Sequence, residues 1–204
     1  VLIDSVIAIM DGLLLDRNLN FEVHRNGPSM LYVMTDSTRI REILTNLLNN
    51  AVKFTADGGT ITFEMSTRPG VDERHIVTSY TVKDTGVGMS EEFQKKLFEP
   101  FSQEDNGART QYKGTGLGMA ITKQYVELMD GAITFQSKKN CGSSFTVEIP
   151  MELADEKEIP EQKTVQNISL NGVKVLLVED NDLNAELAVT LLEDAGMCVT
   201  RAVD

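Results

Sequence analysis

Apolar positions set the first expectations. Leu2, Ile3, Val6, Ile7, Ile9, Met10, Leu13 and Leu14 recur at helical spacing, which predicts an amphipathic helix ending near Asp16. Phe21-Glu22-Val23 predicts a short strand, Asn26-Gly27-Pro28 a turn, and Leu31-Tyr32-Val33-Met34 a second short strand. Asp36 is placed to cap a long helix running to about Phe54, with Ile40, Ile43, Leu44, Leu47, Leu48 and Ala51 as its apolar stripe. Asp57-Gly58-Gly59 is a hairpin-type turn before an alternating strand, Thr60 to Thr67, and a second strand follows from Arg74 to Lys83. A helical pattern from Met119 to Met129 is followed by two more strands, Ala132 to Ser137 and Ser143 to Ile149. A turn around Asn140 and Gly142 joins them, and Pro150 is expected to end the second.

The regular pattern breaks between Asp84 and Gly118, and the chemistry concentrates there. An Asp-x-Gly-x-Gly group opens this stretch and Gly-Thr-Gly-Leu-Gly closes it, directly before the helical pattern. Glycines let a backbone approach a ligand without Cβ clashes, and a glycine-rich turn opening a helix offers free N–H groups to an anion. The stretch reads as two walls of one nucleotide site with a mobile flap, Ser102 to Lys113, between them. On the long helix, Asn46, Asn50 and Lys53 form a second, polar stripe that could hold a metal-bound triphosphate. An exposed polar face is the plain alternative. Three asparagines in one helix, a poor choice for helix propensity, lean toward function.

Towards the C-terminus the composition changes. From Glu152 to about Leu170 the chain is polar, mostly acidic and holds Pro160, which reads as a linker. Val173 to Val178 then predicts a strand, Asp182 to Ala195 a helix and Cys198 to Ala202 a strand, the start of a β-α-β unit. This divides the 204 residues into a domain over 1–151, a linker over 152–171 and a truncated domain over 172–204. A formal net charge of -12 argues against non-specific nucleic-acid binding, because phosphates are repelled. Cys141 and Cys198 form no metal or redox motif, which fits a reduced, cytoplasmic setting. No apolar run is long enough to span a bilayer, and the abrupt start suggests a fragment of a longer protein.

Four segments carry a family resemblance. REILTNLLNNAVKFT, VKDTGVGM, LFEPFSQ and YKGTGLGMAI resemble, in order and spacing, the boxes of the ATP-binding catalytic domain of sensor histidine kinases, over about residues 1 to 150. The tail from Lys174 resembles the start of a response-regulator receiver domain, so the whole looks like part of a hybrid histidine kinase. The resemblance implies an α/β fold: a two-layer sandwich of a mixed sheet and helices, followed by a partial flavodoxin-like receiver.

It also implies roles. Asn50 with Asn46 would hold Mg²⁺ and the ATP phosphates, and Lys53 would approach the phosphates. Asp84 would accept a hydrogen bond from the adenine amine, with Gly86 and Gly88 packing under the base. Phe98 and Phe101 would anchor the lid, and Arg109 and Lys113 are candidate γ-phosphate partners. Gly114, Gly116 and Gly118 would wrap the triphosphate, with Thr115 and Leu117 between them, and Thr146 would reach the base edge through water. Lys113 departs from the family's usual glycine. Glu179 and Asp180, at the end of the first receiver strand, would form an incomplete Mg²⁺ site. His24 and His75 lie in strand-like runs and lack the family's His-Glu-x-Arg-x-Pro setting.

The implied activity is transfer of the ATP γ-phosphate to a histidine on a dimerisation domain outside the chain. The implied parent is a homodimer working with a receiver domain, and its attachment to a membrane is left open. A non-catalytic nucleotide-sensing or docking module and an ATPase clamp are the rival readings. Relatives that hydrolyse ATP carry a glutamate one turn before the metal-binding Asn; here that position is Asn46, an amide that cannot serve as general base near neutral pH.

Overall fold

The structure is a computed structural model and describes residues 2–14, 17–28, 31–104, 115–155 and 170–202. They fall into two compact units, Val1–Ile159 and Pro160–Asp204.

In the first unit the helical expectations translate directly into packing. Helices α1 (Leu2–Leu14), α2 (Ser37–Phe54) and α4 (Gly118–Leu128) lie on one side of a mixed six-stranded sheet; α3 (Glu91–Gln94) is a single turn. Asp36 caps α2, its Oδ1 accepting from the backbone N–H of Thr38 at 3.0 Å and of Arg39 at 3.1 Å. The predicted stripe Ile40, Ile43, Leu44, Leu47, Leu48 and Ala51 is buried, at most 3% exposed at any position. Truncating one of these leucines to alanine removes roughly 2–5 kcal/mol. The helix stops at Thr55, whose hydroxyl and backbone N–H both turn back to the Ala51 carbonyl.

The strands are β1 (Asn20–Asn26), β2 (Val33–Met34), β3 (Thr60–Pro69), β4 (His75–Asp84), β5 (Ala132–Lys138) and β6 (Gly142–Leu153). Their order is β1-β3-β4-β6-β2, with β5 also paired to β6; β1 and β3 run parallel, the rest antiparallel. Strand alternation gives the sheet a buried face toward the helices, for example Tyr80, Val82, Val147 and Ile149.

Two expectations change. Pro150 does not end β6 but pairs with Val77 inside it. On the side away from β4 the strand has no neighbour there: pairing with β5 runs only to Ala132 opposite Glu148, and pairing with β2 begins only at Met34 opposite Glu152. A residue without an N–H therefore fits at this gap. Glu152 and Leu153 likewise belong to the sheet rather than to a linker, paired with Met34 and Val33. Their acidic surroundings masked the strand. Residues 156–169 lie outside the described residues.

The second unit holds β7 (Lys174–Val178), α5 (Asp182–Asp194) and β8 (Cys198–Ala202). The strands are parallel, from Lys174 opposite Cys198 to Val178 opposite Ala202, as a helical crossover requires. Among the described residues no helix is long and apolar enough to cross a membrane.

Candidate functional site

A cavity of about 290 Å³ opens between α2, the end of β4, the loop that follows it and the start of α4. Helix α2 supplies Asn46, Asn50 and Lys53 to its wall; β4 supplies Asp84. Gly88, Thr115, Gly116 and Gly118 add to the polar lining, and Ala51, Val82, Met89 and Phe145 contribute apolar surface. Few convergent polar groups in a largely apolar cleft make a small-molecule site.

Asp84 is 7% exposed, yet ionisable. Its Oδ1 accepts the backbone N–H of Gly86 at 2.8 Å and of Ser143 at 3.3 Å. Burial pushes the carboxyl above its ordinary pKa, and these two backbone donors pull it part of the way back. The glycines after it answer to packing. A Cβ on Gly86 would strike the Phe54 carbonyl. Gly88 has φ +60° and a Cβ there would strike the Lys138 carbonyl. Gly88 lines the cavity; Gly86 lies behind it, fixed against the end of α2.

At the other end, α4 starts with its N-terminal position, Leu117, making no side-chain cap. The first turn of a helix has N–H groups without internal acceptors, and here they open beside the cavity wall. Gly116 takes φ +71°, with the Phe101 backbone so near that a Cβ would lie 2.7 Å from its carbonyl carbon. Thr115 Oγ1 accepts weakly from Leu117 N–H at 3.4 Å. Lys53 Nζ sits 5.0 Å from the centre of the Phe54 ring.

Some expected residues are not brought to the cavity. Thr146 lies on the opposite face of β6, its hydroxyl 2.9 Å from that of Thr81. Strand alternation decides this: Phe145 and Val147 face the helices, so the residue between them cannot. Ser143, two residues before Phe145, is the one that lines the cavity. Phe101, expected as a lid anchor, does not line the cavity. It is 72% exposed on a left-handed backbone, φ 64°, at the turn that receives Gly116. Phe98 packs edge-on to Phe135 at 5.8 Å. Arg109, Lys113 and Gly114 lie outside the described residues; of the flap, Ser102, Gln103 and Glu104 line the cavity.

Two residues of α4 were missed by sequence reasoning. Thr122, 1% exposed, accepts from Asn46 Nδ2 at 2.8 Å. Met119 Sδ accepts from the amide nitrogens of Asn50 at 3.5 Å and Asn46 at 3.8 Å. The available signal was a hydroxyl on the core-facing stripe of α4, one turn from Gly118 and one from Val126.

In the second unit Glu179 Oε1 accepts from Asn181 N–H at 3.1 Å and Asn184 Nδ2 at 3.4 Å. Asp180 is exposed beside it. Among the described residues no group of three or more His, Cys, Asp or Glu side chains is gathered for a metal.

The model of the histidine kinase-, DNA gyrase B- and HSP90-like ATPase family matches residues 35–153. The chain is 37% identical over 186 residues to the autoinducer 2 sensor kinase/phosphatase LuxQ of Vibrio vulnificus, covering 90% of this chain and 22% of that protein. It is 43% identical over 169 residues to the circadian input-output histidine kinase CikA of Synechococcus elongatus, covering 83% and 21%. The chain thus spans less than a quarter of the length of these curated relatives. Full-length ShkA, solved in complex with AMPPNP, superposes with a TM-score of 0.62 at 26% identity, over 100% of this chain and 39% of that one. The catalytic domain of the histidine kinase ThkA, in a nucleotide-free form, gives 0.57 at 28% identity over 73% and 91%.

Proposed function

Because this chain belongs to the histidine kinase-, DNA gyrase B- and HSP90-like ATPase family and carries a histidine kinase-type ATP-binding domain, we propose that it binds Mg·ATP in the α2–α4 cavity for phosphoryl transfer. The γ-phosphate goes to a histidine on a helical dimerisation domain outside this chain, in a homodimeric sensor kinase. One observation carries the reading: the α2 amides and Lys53, the buried Asp84 and the uncapped start of α4 all face one cavity.

Asp84 accepts from the adenine amine, which favours adenine over guanine. The α4 N-terminus, with Gly116 and Gly118, takes the phosphates. Lys53 adds positive charge, and Arg109 and Lys113 are assigned to the γ-phosphate. The donor set fits Mg²⁺. Both amide nitrogens already have partners on α4, which leaves the amide oxygens of Asn46 and Asn50 as the hard ligands such an ion takes. When bound, the ion neutralises charge on the phosphates during transfer. The residue one turn before Asn50 is an amide rather than a carboxylate, which supports transfer over hydrolysis.

Neither histidine of the chain suits the acceptor role. His24 lies on β1, 3.7 Å from Glu22, and His75 Nδ1 lies 2.6 Å from Asp72 on the β3–β4 hairpin. The second unit is assigned as the first part of a receiver domain, with Glu179 and Asp180 as part of its Mg²⁺ site. The test supplies γ-labelled ATP to this chain with and without a separately produced histidine-bearing helical domain. Acid-labile, base-stable label on the helical domain alone is expected. No label there overturns phosphoryl transfer, and steady phosphate release by this chain alone points to an ATPase clamp.

A further inference from the structure

The two asparagines are not free rotors. Both are held by α4, the helix whose first turn faces the phosphates. Thr122 Oγ1 takes Asn46 Nδ2 at 2.8 Å, and Met119 Sδ lies 3.5 Å from Asn50 Nδ2. Gly118, one turn before Thr122, lies so close that a Cβ there would strike Asn46 Oδ1. An amide has two ends of similar shape and opposite character, an acceptor oxygen and a donor nitrogen. A cation is served by the first and repelled by the second. Something must therefore decide which end of Asn46 faces the cavity. A hydroxyl that is 1% exposed and fixed on a packed helix is suited to do so.

We propose that Thr122 is a positioning residue for Mg·ATP: its hydroxyl holds the Asn46 amide nitrogen against α4 and so directs the amide oxygen to the cation. Metal affinity is thereby tied to the seating of α4 on α2, since Thr122 can act only while the helices are packed. The inference rests on the reading of Asn46 and Asn50 as Mg²⁺ ligands. It extends that reading to a residue that touches neither metal nor nucleotide.

Thr122→Val keeps the shape of the side chain and removes the hydroxyl; Thr122→Ser keeps the hydroxyl. The whole chain is titrated calorimetrically with a non-hydrolysable ATP analogue, with and without Mg²⁺, and with adenosine. Thr122→Val is expected to lose about 10-fold of the Mg²⁺-dependent tightening, the scale on which outer partners of metal ligands act. Its adenosine affinity and its metal-free affinity stay at wild-type values, and Thr122→Ser restores the tightening. A Thr122→Val chain that keeps the full Mg²⁺ effect overturns the proposal. So does equal weakening with and without Mg²⁺, which is what a merely loosened α4 would give. Asn50→Ala is the companion control. If it too keeps the full Mg²⁺ effect, the assignment of the asparagines to the metal falls, and the role of Thr122 falls with it.

Discussion

The two ends of the cavity are built in opposite ways. At the Asp84 end the group that would read a base is 7% exposed and tied by two backbone amides. At the α4 end the helix begins uncapped, Gly116 is left-handed, and its neighbour Phe101 is 72% exposed. The first end is organised before any ligand arrives; the second offers donors that only an anion completes. On the proposed reading, recognition of the base would belong to the core, whereas recognition of the phosphates would belong to helix and loop termini.

Substitutions can break or sharpen this contrast. The largest effect is expected for Asn50→Ala, with a loss of roughly 100-fold or more in Mg²⁺-dependent ATP tightening, the upper end of what a partner of the metal costs. Adenosine binding should barely change in the same titration. Joint loss of both ligands would mean that α2 serves the two ends together.

Asp84→Asn should weaken ATP binding by about 1.5–3 kcal/mol, the scale of a charge-assisted hydrogen bond. Its effect on the ligand-free fold should run the other way. Burial raises the carboxyl pKa, so the folded state holds that proton more tightly than the unfolded chain does. Stability therefore gains as pH falls through the raised value and levels off below the unfolded value of 3.8. At neutral pH the buried charge is a liability that asparagine removes. The variant's thermal midpoint at pH 7 should equal or exceed that of wild type, with the advantage shrinking in acid. Wild-type ATP affinity should decline as pH drops through the raised pKa, because the proton occupies the acceptor. A variant that melts lower at pH 7 would assign Asp84 to stability instead.

Gly116→Ala forces a Cβ onto a left-handed residue facing the Phe101 backbone and should cost about 1–2 kcal/mol in denaturant unfolding. An unshifted midpoint would mean that this contact contributes nothing. Thr146→Val, on the far face of the sheet, should change ATP affinity by less than about 0.5 kcal/mol. Anything larger would return Thr146 to the site.

The same contrast governs what could be read from the amino-acid order. Helix α2 was legible from cap to stop because one periodic stripe and one carboxylate determine it locally. Asp84, Asn50 and the glycines stand in short motifs whose neighbours are contiguous. The misreadings concern relations between distant segments. The place of Pro150 depends on where β5 and β2 end. Thr146 and Ser143 exchange places at the cavity because alternation along β6 is counted from its buried phenylalanine, not from its polar residues. Thr122 is 76 positions from the amide that it holds, and no local pattern links the two.

The contact between Gly116 and the Phe101 backbone also bears on how the family can vary. It joins the two ends of residues 102–115 at their base, whatever lies between them. Closing such a segment becomes dearer only slowly with its length, by about 0.6 kcal/mol for each doubling. Insertions and deletions between the two ends should therefore be cheap, provided that the glycine and its left-handed partner are kept. Lineages could lengthen or shorten this stretch without redesigning the Asp84 end, and the glycine would mark where the variable stretch rejoins the fixed one.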